Sequence, residues 1–241
     1  MAEALKELRE RTARAVARYW QTRLAQRRKQ EENGKADQGL RSAVTGGAQM
    51  DGFIDLFAEL VGQAGIPSQF IFRKKAVELP GFFRPTKEWD LLVVRDRTLI
   101  AAIEAKSQVG PSFGNNFNNR TEEAMGSALD LWTAYRERAF LDSPQPFLGY
   151  WFMLEDCEAS SRPVRISEPH FKVFPEFANA SYRRRYEVFC RKLVLERHYT
   201  ASVFITSSSE EGLKGEFGLP ADDLSVERFA RGLVAHVATF A

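Results

Sequence analysis

A chain of 241 residues that is 44% hydrophobic and 27% charged is long enough for one sizeable core and has the composition of a globular protein. A net charge of +2 excludes a globally basic polyanion binder, so any basic surface must be local; residues 1–50 hold 11 Lys and Arg against 6 Asp and Glu. Two cysteines, Cys157 and Cys190, exclude a disulfide framework, and the scattered His170, His198 and His236, with no Cys pairs beside them, exclude a structural zinc site.

In chain order, the first predicted element is a basic amphipathic helix over about residues 3–30. Leu5, Leu8, Ala15, Val16, Tyr19, Trp20 and Leu24 recur at helical spacing, with Arg9, Arg11, Arg14, Arg18 and Arg23 filling much of the rest. Asn33-Gly34 is expected to end it, and residues 34–49, with four glycines, read as a loop. These residues form a basic N-terminal extension to a single domain spanning 1–241. Its charged start, and the lack of any apolar run of membrane length, predict a cytoplasmic protein with no signal peptide and no membrane partner. Asp51 then caps a short helix that presents Phe53, Ile54, Phe57, Leu60 and Val61 to the core and stops at Gly65-Ile66-Pro67.

Leu91-Leu92-Val93-Val94 and Leu99-Ile100-Ala101-Ala102-Ile103 read as two buried strands of a hairpin. Trp89-Asp90 precedes the first and Glu104-Ala105-Lys106 follows the second. Side chains alternate along a strand, so Glu104 and Lys106 share a face. Asp90 and Glu104 are 14 positions apart, so an odd-length loop, for instance Arg95 to Arg97, puts both carboxylates on one face, whereas a two-residue loop does not. Two like charges so placed are costly unless a cation lies between them. A hard divalent ion needs only oxygen ligands and keeps several waters, so Asp90, Glu104 and the backbone carbonyl of Ala105 suffice for Mg²⁺. Lys106 adds a positive charge or a base. D-x13-E-x-K on adjoining apolar strands is the pattern of a metal-dependent nuclease; the alternative makes Asp90 a turn residue and Glu104 to Lys106 a solvated strand end.

Beyond Lys106, a Gly- and Asn-rich segment holds Asn115, Asn116, Asn118, Asn119 and Arg120, and a helix is expected from about Thr121, with Ala124, Met125, Ala128, Leu129, Trp132 and Tyr135 at core spacing. A long loop follows from about Glu155 to Ala180. A helix with the basic start Arg183-Arg184-Arg185 comes next, and the chain ends in an amphipathic helix carrying Val226, Phe229, Leu233, Val234 and Val237.

Four stretches carry a resemblance: Met50-Asp51-Gly52-Phe53, the run from Leu79 to Asp90, the run from Lys106 to Arg120, and Ser167 to Phe171 with Val173-Phe174-Pro175. Over about residues 46–193 the chain resembles the XhoI type of restriction endonuclease. The resemblance implies an α/β (α+β) fold with a central mixed β-sheet flanked by helices, the restriction-endonuclease-like PD-(D/E)xK core. It also implies a type II enzyme that uses Mg²⁺ to cut double-stranded DNA within the palindrome CTCGAG and leaves 5′ overhangs. Asp90, Glu104 and Lys106 carry over as the catalytic positions, with Trp89 where the motif has proline. In this superfamily an acidic residue on the helix before the sheet often joins the metal site, which makes Asp51 or Asp55 a second-rank ligand.

Asparagine amides pair with adenine and arginine with guanine in the major groove, so Asn115 to Arg120 are candidates for base reading; Gly-Asn turn chemistry is the alternative. Arg183, Arg184, Arg185 and the N-terminal arginines are candidates for phosphate contact, or else solvated helix faces. A palindrome calls for a homodimer, and a restriction enzyme implies a companion methyltransferase. A repair or recombination nuclease of the same superfamily and a catalytically silent DNA-binding protein remain as alternatives.

Overall fold

The computed structural model describes residues 2–32 and 47–241; the predicted helix end at Asn33-Gly34 and most of the glycine-rich loop lie outside the described residues. Helix α1 covers Ala2–Glu32 and α2 covers Asp51–Gln63. Five strands form the main sheet, in the order β1 (Ile71–Phe72), β4 (Leu91–Arg95), β5 (Thr98–Gln108), β6 (Phe147–Glu155) and β7 (Ala201–Ser207). The β1–β4 and β4–β5 pairs are antiparallel and the β5–β6 and β6–β7 pairs are parallel. Each parallel step needs a crossover. Helix α3 (Phe113–Arg136) supplies the first; the short α4 (Glu158–Ser161) and α5 (Tyr182–Leu195) supply the second. Strands β2 (Glu78–Pro80) and β3 (Thr86–Glu88) make a separate two-stranded sheet, and α6 (Val226–Val237) lies near the C-terminus. This is the mixed, helix-flanked sheet expected.

The apolar runs are apolar on both faces because both faces are covered. Leu91, Val93, Ile103, Ala105 and Trp151 pack with α1, α2 and α6. Leu92, Ala102, Tyr150 and Phe152 pack on the other side with α3 and α5. Glu104 has the parity of Ala102, which places it on the α3 and α5 side.

Helix α1 is built into this core through Leu8, Val16, Tyr19 and Trp20. Three of its arginines are engaged within the protein, while Arg14 is exposed. Arg9 Nε lies 2.6 Å from Glu227, Arg18 Nη1 lies 2.7 Å from Asp55, and Arg11, whose side chain is only 10% exposed, pairs with Glu59, so three of them tie α1 to α2 and α6.

The hairpin differs from expectation in an informative way. Arg95 pairs with Thr98, so the loop is the two-residue Asp96-Arg97, and both residues have positive φ (50° and 64°), as a turn that matches strand twist requires. That loop alone would put Asp90 and Glu104 on opposite faces. Between Val94↔Leu99 and Val93↔Ala101, however, Ile100 is left unpaired, a β-bulge that shifts the register by one residue. Leu91 then faces Ile103, and Asp90 and Glu104 come to one face after all. The odd residue sits in the strand instead of the loop. Strand β5 also runs on to Gln108, so Glu104 and Lys106 lie within a long strand and not at its end.

His236 on α6 places Nε2 3.0 Å from the Ile100 carbonyl, next to the bulge. Burial pushes its pKa below the ordinary 6.5, and the carbonyl contact offsets this only in part. The folded state therefore resists protonation that the unfolded chain accepts. Stability is full above pH 6.5 and declines as pH falls from there through the depressed folded value. Thermal melts from pH 8 to roughly 5 should show this decline, and His236→Gln should flatten it.

Candidate active site

Strand β4 begins at Leu91, which leaves Asp90 just outside the ladder; its backbone N–H still donates to the Ile103 carbonyl at 3.1 Å. The Asp90 carboxylate turns back toward β5 and accepts the backbone N–H of Ala105 at 2.7 Å. A strand residue aims its N–H and C=O toward the same edge, so the Ala105 carbonyl also faces the side where Asp90 stands. Trp89 explains the departure from the motif's proline. Its backbone N–H donates to the Val77 carbonyl at 2.9 Å, a bond proline cannot make, and its buried ring packs in the α3-side core.

Glu104 is 4% exposed, buried among cations. Lys106 Nζ lies 2.5 Å from Glu104 Oε1 and 3.4 Å from Asp90 Oδ2. Lys87 Nζ, on β3, lies 2.5 Å from Glu104 Oε2 and 4.5 Å from the Trp89 ring centre. Lys87 thus covers Oε2 as Lys106 covers Oε1, so both oxygens of the buried carboxylate face an ammonium. Burial by itself would raise the Glu104 pKa; the ammoniums of Lys106 and Lys87 outweigh it and hold the group down to about 2. Burial likewise works against the Lys106 ammonium, but Glu104 and Asp90 carry it up to about 12. Asp90 ends above the usual carboxylate range, through burial first and the Glu104 charge beside it, with Lys106 opposing.

These residues fit a hard divalent cation. Two carboxylates and a backbone carbonyl converge as an all-oxygen donor set, and two ammoniums already stand against the Glu104 carboxylate where positive charge is needed. Among the described residues no three His, Cys, Asp or Glu side chains gather into a metal cluster, so the remaining ligands would be water, as Mg²⁺ prefers.

Asp51 is not brought here. It is the first residue of α2 and not its cap, and its carboxylate lies 2.7 Å from Lys74 Nζ and 3.9 Å from Arg18. Helix α2 packs on the face of the sheet opposite Glu104, which removes Asp51 from the pair; Asp55, on the same helix, is tied to Arg18 and Arg73.

A cleft of about 700 Å³ opens over Glu104 and Lys106, lined also by Phe83, Arg84, Lys87 and Arg120. Arg120 is thus brought to the site, paired with Glu123 at 2.6 Å. The asparagines lie elsewhere than expected. Helix α3 starts at Phe113 and not near Thr121, so Asn115, Asn116, Asn118, Asn119 and Arg120 are helical and not turn residues. Phe113 and Phe117 set this start by packing on Tyr182 and Tyr186. Asn115 lines a second cleft of about 620 Å³ with Arg162 and Arg165. Asn116 is half-buried, and Asn118 and Asn119 are exposed on α3.

Arg183, Arg184 and Arg185 are engaged within the protein. Arg183 pairs with Asp156, Arg184 Nη1 lies 2.6 Å from Glu187, and Arg185 donates to the carbonyls of Ala180 and Val164 at 3.2 and 3.4 Å. Only Arg184 is exposed. Lys87 is the site residue that pattern reading missed. A three-residue strand has no period to detect; the available signal was a lysine two places before the Trp89-Asp90 step.

Comparisons with known proteins show the family. The family model described as restriction endonuclease XhoI matches residues 29–219. The type II restriction enzyme BstVI of Geobacillus stearothermophilus is 54% identical over 208 residues, 84% of this chain and 93% of the relative. The type II restriction enzyme XhoI of Xanthomonas vasicola is 50% identical over 183 residues (75% and 73%), and AbrI of Azospirillum brasilense, likewise named a type II restriction enzyme, is 50% identical over 173 residues (71% and 78%). No solved structure matches the chain at a comparable level. With the family model covering most of the chain and these relatives at half identity or more, the protein belongs to the XhoI family of restriction endonucleases.

Proposed function

We propose that this type II restriction endonuclease hydrolyses phosphodiester bonds in double-stranded DNA at CTCGAG, leaving 5′ overhangs, with Mg²⁺ held by Asp90, Glu104 and the Ala105 carbonyl. The observation that carries the chemistry is the convergence of Asp90, Glu104 and Lys106 on one face, with Glu104 and Lys106 lining an open cleft. The likeness to the XhoI relative supports the choice of site. A bound Mg²⁺ would polarise the phosphoryl oxygen, acidify an attacking water and balance charge on the leaving 3′ oxygen. Asp90, anchored by the Ala105 N–H, and Glu104, fixed by burial, hold their oxygens in place before any ion arrives. Lys106 directs its ammonium at the non-bridging oxygens, where negative charge grows in the pentavalent transition state. Arg120 and Arg84, on the cleft wall, meet the backbone phosphates.

Lys87 would compete with the metal for Glu104. Lys87→Met should tighten Ca²⁺ binding in the absence of DNA by about tenfold, measured by calorimetry, because one opposing charge is gone. Unchanged Ca²⁺ affinity would remove Lys87 from the site.

Cutting both strands of a palindrome calls for two copies of the site related by the DNA two-fold, so the working form is a homodimer. A methyltransferase of the same specificity would protect host DNA, with the enzyme acting in the bacterial cytoplasm; among the described residues no helix is long and apolar enough to cross a membrane. A plasmid digest tests the proposal. Discrete fragments with Mg²⁺ and none with EDTA are expected, whereas a smear means cleavage without site choice and intact DNA means no nuclease.

A further inference from the structure

The connection between β2 and β3, residues 81–85, closes onto a buried carboxylate. Asp130 on α3, with its side chain 4% exposed, accepts the backbone N–H of Phe82 at 2.7 Å, the backbone N–H of Phe83 at 2.8 Å and Nε–H of Arg84 at 2.7 Å. A Cβ on Gly81 would stand 2.4 Å from Asp130 Oδ2 and 2.7 Å from the Arg84 carbonyl oxygen, so only glycine lets the turn approach this closely. The result runs against ordinary burial. Phe82 and Phe83 are 53% and 67% exposed, packed edge to face on each other at 5.3 Å. Three hydrogen bonds to one buried carboxylate fix the backbone that carries the two exposed rings, so the cost of ordering that turn is already met before any partner binds. Rigid apolar rings presented this way are suited to a partner that offers flat apolar surface.

Phe83 and Arg84 line the same cleft as Glu104 and Lys106. A duplex whose phosphate reaches those two residues therefore passes the ring of Phe83. Arg84, Lys87 and Arg120 stand in this lining beside Glu122, Glu123 and Asp130, so it is the cleft shared with the proposed active site, and not its charge, that brings DNA to Phe83. We propose that Phe82 and Phe83 form a wedge that enters the base stack of the bound DNA and unstacks the step beside the cleaved phosphate. Partial insertion of Phe between base steps kinks a duplex and brings more protein surface against it. The inference rests on the endonuclease reading above.

The test uses the wild type and Phe82→Ala/Phe83→Ala with Ca²⁺ in place of Mg²⁺. The probes are CTCGAG duplexes carrying 2-aminopurine at each purine in and beside the site in turn. The wild type should brighten at least one position several-fold. The double variant should leave every position dark and bind about ten- to a hundredfold more weakly, the scale of lost base stacking, with an unchanged melting temperature because both rings are exposed. Equal brightness and equal affinity in the double variant would overturn the wedge. So would a wild-type dimer that becomes monomeric in the variant without DNA, which would assign the rings to a subunit interface. A wild type that fails to cut the unmodified duplex with Mg²⁺ would overturn the endonuclease reading and the wedge with it; a wild type that cuts while the variant behaves identically overturns the wedge alone.

Discussion

Glu104→Gln is expected to lower cleavage by at least about a thousandfold while the protein stays folded, because the substitution keeps the volume of a side chain that is 4% exposed and removes only its charge. That charge is the centre of the site. Without it the pair of carboxylates becomes one, Ca²⁺ binding measured by calorimetry should disappear, and Lys106 and Lys87 lose their shared partner. Breaking a fully buried ion pair costs about 3–5 kcal/mol. Here the lysine side chains are 26% and 12% exposed and can turn toward water, so the stability loss should be smaller, about 1–3 kcal/mol. A plasmid-nicking assay beside a thermal melt separates the two effects. A variant that cuts near the wild-type rate would remove Glu104 from the chemistry.

The largest effect on stability is expected at Trp151. It lies in the middle of β6, fully buried, with its ring 4.9 Å from Phe53 and 5.2 Å from Phe57, so it joins the sheet to α2. Trp151→Ala should cost about 3–5 kcal/mol in urea unfolding, the transfer term plus the cavity left by an indole. Trp151→Phe should cost less than half as much, since the indole Nε1 is buried without a hydrogen-bond partner and phenylalanine removes that unsatisfied donor. Equal losses in the two variants would mean that the indole N–H contributes a bond and that packing is not the main term.

The strands and the triad were legible in the sequence because burial on both faces leaves long apolar runs, and charged residues interrupting such runs stand out. The hairpin brings Asp90 and Glu104 to one face, as expected, through a bulge in β5 and not through an odd-length loop. Asp96-Arg97 carries no glycine to announce a tight turn with two positive φ values, and nothing local marks Ile100 as a bulge. The start of α3 was hidden because Gly114 and four asparagines favour turns; packing of Phe113 and Phe117 on Tyr182 and Tyr186 overrides that preference. Charge runs were the least legible feature. Arg9, Arg11, Arg18 and Arg183 each have an acidic partner brought from at least 27 positions away, which sequence spacing does not reveal. Lys87 and the Asp130 clamp depend on the β2–β3 sheet and α3 meeting over the cleft, a juxtaposition that sequence spacing does not encode.

Asp90, Glu104 and Lys106 are proposed to form a Mg²⁺-dependent site that cuts DNA at CTCGAG. Sequencing the ends made by the wild type on plasmid DNA in Mg²⁺, beside Glu104→Gln at the same concentration, tests it most directly. The account predicts that every wild-type end lies within CTCGAG and carries a 5′-TCGA overhang, and that the variant makes none. Ends scattered over unrelated sequences, or identical ends from both proteins, would contradict it.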